Sequence, residues 1–211
     1  MKSEEVYLLL EKHKVVPIIA IENAGAALNL ANALIEGDLP IAEITFRTDA
    51  AAEVITKLSK EKPELVIGAG TILTLDNLKK AQDCGATFGV APGFNPKIVE
   101  EALKMGFPFA PGVMTPSDVE AALEMGVKVQ KFFPAEAAGG IKMLKSLIGP
   151  YAHAGVRFMP TGGINPGNLM NYLAIPQVLA IGGTWIATKD DISSGNWDEI
   201  KLRCKAVSSM A

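Results

Sequence analysis

Three side chains that could do chemistry together stand in two separate apolar runs of the sequence. Lys131 lies in VKVQKFF (127–133), and Glu43 and Arg47 lie in IAEITFRT (41–48). A lysine inside an apolar run costs free energy unless a partner or a reaction uses its amine. Desolvation and a neighbouring cation both favour the neutral amine, which attacks ketones to form a Schiff base. With a carboxylate available to move protons, these residue types indicate imine chemistry on a keto compound.

Alternation along a β-strand predicts which way these side chains point. Lys131 shares the parity of the apolar Val129, and Glu43 shares the parity of Ile41 and Arg47. Strands two and six face each other in an eight-stranded barrel, whose interior is only wide enough for side chains. We therefore expect Glu43 and Lys131 to meet inside the barrel, near the mouth where barrel enzymes keep their chemistry. The alternative is a buried ion pair that only stabilises the fold.

Other charged residues serve as contrasts. Lys128 has the opposite parity to Lys131, and Arg157 stands near the start of its predicted strand, so neither is expected in the site. Arg47 is placed to hold a substrate carboxylate by a two-point contact, whereas its alternative is an ion pair with Asp49.

The elements that must position these residues repeat along the chain. Eight short apolar runs alternate with segments of helical periodicity, at intervals of roughly 20 to 28 residues. The runs cover residues 15–21, 41–46, 64–70, 86–90, 107–111, 127–133, 156–161 and 178–183. The pattern predicts a single α/β domain over residues 1–211, a (β/α)8 barrel with an extra N-terminal helix covering its bottom. An open doubly wound sheet is the rival, but it more usually has a glycine fingerprint after the first strand, which IENAGAAL matches only weakly.

Helix boundaries also carry signals. Asn95-Pro96, Thr115-Pro116 and Asn165-Pro166 each place a capping side chain before a proline suited to a first helical turn. Glycines at positions 37, 85, 106 and 126 stand where helices are expected to end.

Two glycine pairs follow the last two predicted strands, in TGGINPGN (161–168) and IGGTWIAT (181–188). Paired glycines let the backbone approach a ligand, and loops after strands seven and eight are the usual phosphate site of this barrel class. Each pair alone could be a tight turn. Both pairs at the two required positions indicate phosphate binding, and with the lysine and the arginine they point to a phosphorylated 2-keto acid.

Three further residues are candidates at the mouth of the barrel. Thr71 ends the third strand with inward parity, so its hydroxyl could meet a carboxylate or cap the next helix. Pro92 is expected at the rim, where it contacts substrate or only shapes the loop. Phe133 could form an apolar wall beside Lys131, or belong to the core.

Composition excludes several classes of protein. The net charge is -3 and the chain has only three arginines, so no basic stripe is available for nucleic acid. The apolar part of the N-terminal segment is too short for a signal peptide or a membrane span, which predicts a cytoplasmic protein. Two distant cysteines fit a reducing compartment, and two isolated histidines offer no metal-binding motif.

Several of these stretches together resemble a known family. VVPIIAI, AEITFRT, IGAGTI, APGF, KFFPAEAAGG, PTGGI and IGGTW occur in order along essentially the whole chain. The sequence resembles the 2-keto-3-deoxy-6-phosphogluconate (KDPG) aldolases, class I enzymes also described as 4-hydroxy-2-oxoglutarate (KHG) aldolases. The resemblance implies cleavage of the phosphorylated keto acid to pyruvate and glyceraldehyde 3-phosphate, no cofactor, and a homotrimer.

By position, the resemblance also implies residue roles. Lys131 is the Schiff-base lysine and Glu43 the acid and base, while Arg47, Thr71 and Thr161 surround the pyruvate part. Around the phosphate it places Gly162, Gly163, Gly182, Gly183 and Thr184. Thr184 and Ala91 stand where the family often has serine, and the loss of a hydroxyl at Ala91 could alter substrate preference at the rim. A phosphogalactonate-type aldolase, a phosphosugar isomerase or epimerase, and a non-catalytic phosphosugar-binding protein are the alternatives.

Overall fold

The computed structural model describes residues 3–210, in which short parallel strands alternate with helices. The strands are β1 (Val15–Ile19), β2 (Ile41–Thr45), β3 (Val66–Gly70), β4 (Phe88–Val90), β5 (Phe109–Ala110), β6 (Gly112–Val113), β7 (Val129–Phe132), β8 (Arg157–Phe158) and β9 (Ile181–Gly183). The helices are α1 (Ser3–His13), α2 (Ala27–Glu36), α3 (Ala51–Glu61), α4 (Leu75–Asp83), α5 (Pro96–Lys104), α6 (Pro116–Glu124), α7 (Gly140–Tyr151), α8 (Leu169–Leu173), α9 (Lys189–Ser194) and α10 (Trp197–Ser208). Short 3-10 turns precede α2 and follow α7.

The strands form a curled parallel sheet in two sections. One section has the order β5-β4-β3-β2-β1-β9, and the other has the order β6-β7-β8. Two isolated parallel bridges, Phe158 to Val178 and Thr161 to Gly182, join the end of the second section to the β9 side of the first. Neighbouring strands follow chain order and β9 pairs with β1, which excludes the reversed strand order of a doubly wound sheet. The predicted α/β class is confirmed.

The fifth predicted strand is divided at Pro111. β5 ends at Ala110 and β6 begins at Gly112, because proline has no N–H to give to a ladder. The Pro111 carbonyl still accepts from the backbone N–H of Lys131 at 2.8 Å, which keeps β7 in register with this segment. Gly112 then lies opposite Lys131 in the β6–β7 ladder.

The helix α1 precedes β1 and buries Val6 and Leu10, which are four residues apart and so lie on one face. Glu11 of this helix forms an ion pair of 2.8 Å with Arg157, the first residue of β8. Arg157 therefore lies at the N-terminal end of its strand and away from the C-terminal ends, as the sequence predicted.

Two of the three predicted proline-led helix starts are confirmed. The side chains of Asn95 and Thr115 cap α5 and α6, and Thr115 forms a reciprocal capping box with Asp118. The third prediction was wrong: Asn165 accepts from the N–H of Gly167 at 2.8 Å in a tight turn, and α8 begins only at Leu169. The side chain of Asn165 is therefore occupied by a local turn and does not cap a helix.

Candidate active site

The buried polar residues of the described chain are few, and most of them lie in one place. Glu43, Thr45, Gln130, Lys131, Thr161 and Asp191 are buried, and four of these six line a single cavity at the C-terminal ends of the strands. The four are Glu43, Thr45, Lys131 and Thr161. Buried polar groups require partners or a function, so this cavity is the candidate active site.

Glu43 of β2 and Lys131 of β7 meet across the interior. Lys131 Nζ lies 3.4 Å from Glu43 Oε1, and the two residues are 6% and 2% exposed. The two residues are 88 positions apart in the sequence. Strand parity and the curl of the sheet bring them together, so the contact expected from the sequence is observed.

Glycines on the two neighbouring strands avoid clashes around this pair: Gly70 with Glu43 itself, and Gly112 with the backbone at the rim. A Cβ atom at Gly70 would lie 2.1 Å from Glu43 Oε1, far inside contact distance. A Cβ at Gly112, opposite Lys131 in the ladder, would lie 2.1 Å from the Pro92 carbonyl oxygen. Sequence reasoning did not single out these two glycines, because the stretches GAG and PGV do not indicate which atoms the glycines will face.

The surroundings of the amine are apolar. Lys131 Nζ lies 5.6 Å from the centroid of the Phe133 ring, and buried Ile18 lines the same cavity. An aromatic face stabilises an ammonium. The apolar walls, in contrast, keep water away from the charged form of the amine. Phe133 is therefore part of the cavity wall beside the lysine, as one of the two sequence interpretations expected.

Arg47 is exposed at the mouth of the cavity, held by one side of its guanidinium. Its Nε donates to Thr45 Oγ1 at 3.2 Å, and Thr45 Oγ1 in turn donates to the Ile19 carbonyl at 2.9 Å. Within residues 3–210 no ion pair of 4.0 Å or less joins Arg47 to Asp49, so the expected alternative is not observed. The two terminal nitrogens of Arg47 are left for a carboxylate.

Thr71 follows β3 in a backbone conformation that is unusual for threonine. Its φ angle is 59°, and the side chain lines the cavity. Non-glycine residues held in this left-handed region cluster at functional sites. The cap of α4 is Thr74, which accepts from Asn77 N–H at 3.1 Å. The alternative role of Thr71 as a helix cap is therefore excluded.

The first glycine pair forms a turn that is held by its carbonyl groups. Gly162 and Gly163 have φ angles of 102° and 79°, which favour glycine. The Gly162 carbonyl accepts from Glu136 N–H at 3.0 Å, and the Gly163 carbonyl accepts from the side-chain amides of Asn165 and Asn168, each at 3.3 Å. In the described part of the chain, no acceptor binds the N–H groups of Gly162 and Gly163, so both remain available to an anion.

The second glycine pair divides into two roles. A Cβ at Gly182 would lie 2.5 Å from Thr161 Oγ1, so this glycine makes room for the threonine at the cavity wall. Gly183 does not line the cavity, and a Cβ there would meet the Trp185 ring at 2.2 Å. Gly183 thus accommodates Trp185, and its contact with phosphate through the backbone stays a prediction. Thr184 is exposed and lines the mouth with its hydroxyl available.

The cavity has a volume of about 230 Å³. It is lined by Ile18, Glu43, Thr45, Arg47, Thr71, Pro92, Lys131, Phe133, Thr161, Gly162, Gly163, Ile164, Gly182 and Thr184. All the predicted site residues except Gly183 are in this set. Sequence reasoning missed Ile18, Thr45 and Ile164; the parity that Thr45 shares with Glu43 was the available signal. Lys128, the lysine of opposite parity, is exposed and outside the cavity.

Two other features bear on the class of protein. Among the described helices, none is both long enough and apolar enough to cross a membrane. Residues 3–210 contain no cluster of three or more histidine, cysteine or acidic side chains arranged to hold a metal ion.

A buried lysine beside a carboxylate, at the C-terminal ends of curled parallel strands, is an arrangement suited to a lyase that works through an imine. A family-wide sequence profile described as KDPG and KHG aldolase matches residues 6–203. The chain belongs to this family of aldolases, which are carbon–carbon lyases.

Relatives and solved structures agree with this assignment. The chain is 48% identical over 198 residues to the 2-dehydro-3-deoxy-phosphogluconate aldolase of Haemophilus influenzae, covering 94% of this chain and 92% of that protein. A KDPG aldolase structure from Legionella pneumophila, with pyruvate captured as a covalent carbinolamine, superposes with a TM-score of 0.92 at 37% identity, covering 98% of each chain. The aldolase of Zymomonas mobilis solved with 3-phosphoglycerate gives a TM-score of 0.88 at 36% identity, covering 99% of this chain and 96% of that one.

Proposed function

We propose that this chain is a class I aldolase that cleaves 2-dehydro-3-deoxy-6-phosphogluconate to pyruvate and glyceraldehyde 3-phosphate. The observation that carries the proposal is the buried contact of 3.4 Å between Lys131 Nζ and Glu43 Oε1. The names of the Haemophilus and Legionella relatives, and the covalent pyruvate adduct of the latter, support the same reaction.

The first step forms the imine. Lys131 passes a proton to Glu43, and its neutral amine attacks the C2 ketone. Glu43 returns this proton to the oxygen of the adduct and then moves a second proton from the nitrogen to the hydroxyl of the carbinolamine. The hydroxyl leaves as water, and a protonated Schiff base with one N–H remains. The distance between the two side chains is suited to this exchange, because their polar atoms already face each other and both residues are buried.

The second step breaks the bond between C3 and C4. Glu43 takes the proton of the C4 hydroxyl, the C4 oxygen becomes the aldehyde of glyceraldehyde 3-phosphate, and the bonding electrons pass to the iminium to form an enamine. Glu43 then protonates C3, and attack of water on the imine carbon releases pyruvate and restores the Lys131 amine.

The two ends of the substrate are assigned to the two sides of the mouth. The free terminal nitrogens of Arg47 receive the C1 carboxylate, with the hydroxyls of Thr71 and Thr161 nearby on the wall. The N–H groups of Gly162 and Gly163 and the Thr184 hydroxyl receive the phosphate. Gly182 acts indirectly, by leaving space for Thr161.

A second activity, cleavage of 4-hydroxy-2-oxoglutarate to pyruvate and glyoxylate, needs only the lysine, the carboxylate and the clamp on the pyruvate part. The family description, which names both activities, favours it.

Comparing turnover of the gluconate- and galactonate-derived keto acids tests the choice of epimer, for which we expect preference for the gluconate form.

We also propose that the two sheet sections form one (β/α)8 barrel capped by α1, that the enzyme is a cytoplasmic homotrimer, and that it binds no nucleic acid. The bridges between β8 and β9 support closure of the barrel, and the contact between Glu11 and Arg157 supports the position of α1. The trimer rests on the family resemblance alone, and sedimentation equilibrium measures it directly.

Borohydride reduction in the presence of pyruvate tests the central claim. We expect one reduced pyruvate per chain, located on Lys131 by peptide mass spectrometry, and none in Lys131→Ala. Lys128→Ala is the matched control at the residue just before β7, and it is expected to keep both the adduct and the turnover. Glu43→Gln is expected to lower kcat by ~10² to 10⁴-fold, with Glu11→Gln as a control at a carboxylate outside the cavity.

The alternatives give different results. An isomerase or epimerase that uses Lys131 only as a fixed charge forms no adduct at saturating pyruvate. A non-catalytic binding protein is stabilised by ligand but releases no pyruvate from the phosphorylated keto acid. Either outcome would overturn the aldolase assignment.

A further inference from the structure

We propose that Tyr172 and Glu136 act as a pair of positioning residues that hold the Gly162–Gly163 turn in shape for the substrate phosphate. This inference rests on the proposed function, because it assigns a role within its phosphate site. Neither residue lines the cavity, so their action is through the turn.

The loop after β7 is bonded directly to the glycine turn. The backbone N–H of Ala135 donates to the Thr161 carbonyl at 2.8 Å, and that of Glu136 donates to the Gly162 carbonyl at 3.0 Å. The aliphatic part of the Glu136 side chain packs against Gly163: a Cβ at Gly163 would lie 2.7 Å from Glu136 Cβ and 2.8 Å from its Cγ. The position of the Glu136 side chain therefore limits the conformations open to the turn.

Tyr172 of α8 fixes this side chain. The tyrosine is fully buried, and its hydroxyl donates a hydrogen bond to Glu136 Oε1. Burial, and then the hydrogen bond to Glu136, raise the pKa of Tyr172, so its hydroxyl stays protonated and able to donate. Gly140, at the start of α7, leaves the required space, since a Cβ there would lie 3.1 Å from Glu136 Oε1 and 3.4 Å from the tyrosine hydroxyl.

The hydrogen bond has an electrostatic consequence as well. Glu136 is exposed, and a free glutamate side chain in that position has several rotamers available. Held by Tyr172, the carboxylate stays outside the cavity, where it does not repel a phosphate dianion. Loss of the hydroxyl frees both the turn and the negative charge.

The variant Tyr172→Phe removes only the hydroxyl. We expect KM for the phosphorylated substrate to rise ~10-fold. The value of kcat should stay within about twofold of the parent, because the enzyme binds the phosphate equally in the ground state and in the transition state. KM for 4-hydroxy-2-oxoglutarate, which has no phosphate, should stay unchanged. The inhibition constant of inorganic phosphate should rise by the same factor as KM for the phosphorylated substrate.

Tyr151→Phe is the matched control. Tyr151 also donates its hydroxyl to a glutamate, Glu120, at 2.7 Å, but among the described residues no hydrogen bond joins this pair to the Gly162–Gly163 turn. In Tyr151→Phe, KM for the phosphorylated substrate and the inhibition constant of inorganic phosphate should match those of the parent. Glu136→Gln keeps an acceptor for Tyr172 and should retain a low KM. Glu136→Ala frees the turn but removes the charge, so its KM should rise less than that of Tyr172→Phe.

Equal changes for the phosphorylated and unphosphorylated substrates would show a general structural role and overturn the proposal, as would an unchanged KM for both. Thermal stabilisation by 3-phosphoglycerate gives a second measure of phosphate binding that needs no turnover. If the parent binds that ligand but cleaves no keto acid, the proposed function fails, while the effect of Tyr172→Phe on binding still decides this inference.

Discussion

At the scale of single residues, the site depends on a neighbouring glycine that carries no side chain. Glu43 and Lys131 share a buried space that exists because Gly70 carries no side chain. A buried ion pair contributes little net stability, because desolvation offsets most of the attraction between the charges. A stabilising role therefore explains the burial of the pair poorly, which favours the proposed role in proton exchange.

The variant Gly70→Ala tests this dependence. Its Cβ would lie 2.1 Å from Glu43 Oε1, so the carboxylate must move. Displacement of a catalytic group by about 1 Å costs on the order of 10²-fold in rate, and we expect kcat to fall by about that factor. Gly93→Ala is the control, because a Cβ at Gly93 meets nothing within 4 Å. Equal kcat values for the two variants would contradict the assigned role of Gly70.

At the scale of elements, strand parity decides which side chains reach the interior. A shift of one residue along β7 would turn Lys131 outward and bring Gln130 inward, because alternate side chains face opposite sides. The hydrogen bond from Lys131 N–H to the Pro111 carbonyl and the ladder with β8 hold the register. Parity read from the sequence was therefore sufficient to separate Lys131 from Lys128.

Asp191 links two elements near the C-terminus. Its carboxylate accepts from the Thr188 hydroxyl at the cap of α9 and from Arg203 of α10. Burial alone would raise the pKa of Asp191, but the hydrogen bonds from Thr188 and Arg203 outweigh it and hold the pKa below the ordinary value of 3.8. The stabilisation is therefore present above about pH 4 and is lost as the pH falls through the lowered pKa.

We expect Asp191→Asn to lower the free energy of unfolding by about 2 kcal/mol at pH 7. The difference from the parent should shrink as the pH falls through the lowered pKa of Asp191, because the folded parent then binds the proton as well. Urea denaturation at pH 7 and at successively lower pH measures this change. Asp190→Asn, an exposed change in the same helical turn, should alter stability little at any of these pH values. A difference that stays constant with pH would show that the charge of Asp191 is not involved.

At the scale of the whole molecule, the curl of the sheet gathers the loops after several strands around one mouth. Residues from position 18 to position 184 line the same cavity. A phosphorylated ligand that binds there contacts loops far apart in sequence, so its binding should stabilise the whole fold.

3-Phosphoglycerate should raise the melting temperature of this chain. At about 100 times its dissociation constant, a ligand adds ~2.7 kcal/mol, which corresponds to about 5 to 10 °C for a domain of this size. Differential scanning fluorimetry measures the shift, with glycerate as the matched ligand without phosphate. Equal shifts for the two ligands would contradict phosphate recognition by the glycine turn.

The sequence by itself determined the α/β class, the alternation of strands and helices, and the candidate pair of Glu43 and Lys131. These features follow from local rules, namely hydrophobic periodicity, capping chemistry and the alternation of side chains along a strand. The same rules misplaced the start of α8, because the Asn165 side chain joins a turn whose partners are equally local.

Only the tertiary structure decided the other contacts of the site. The clearance given by Gly70, the support of Arg47 by Thr45 and the separate role of Gly183 depend on atoms brought together from distant parts of the chain. The link between Tyr172 and Glu136 spans 36 positions and has no periodic signal. Such contacts are set by how strands and loops pack around a common mouth, and this packing depends on the whole three-dimensional arrangement, which no local pattern encodes.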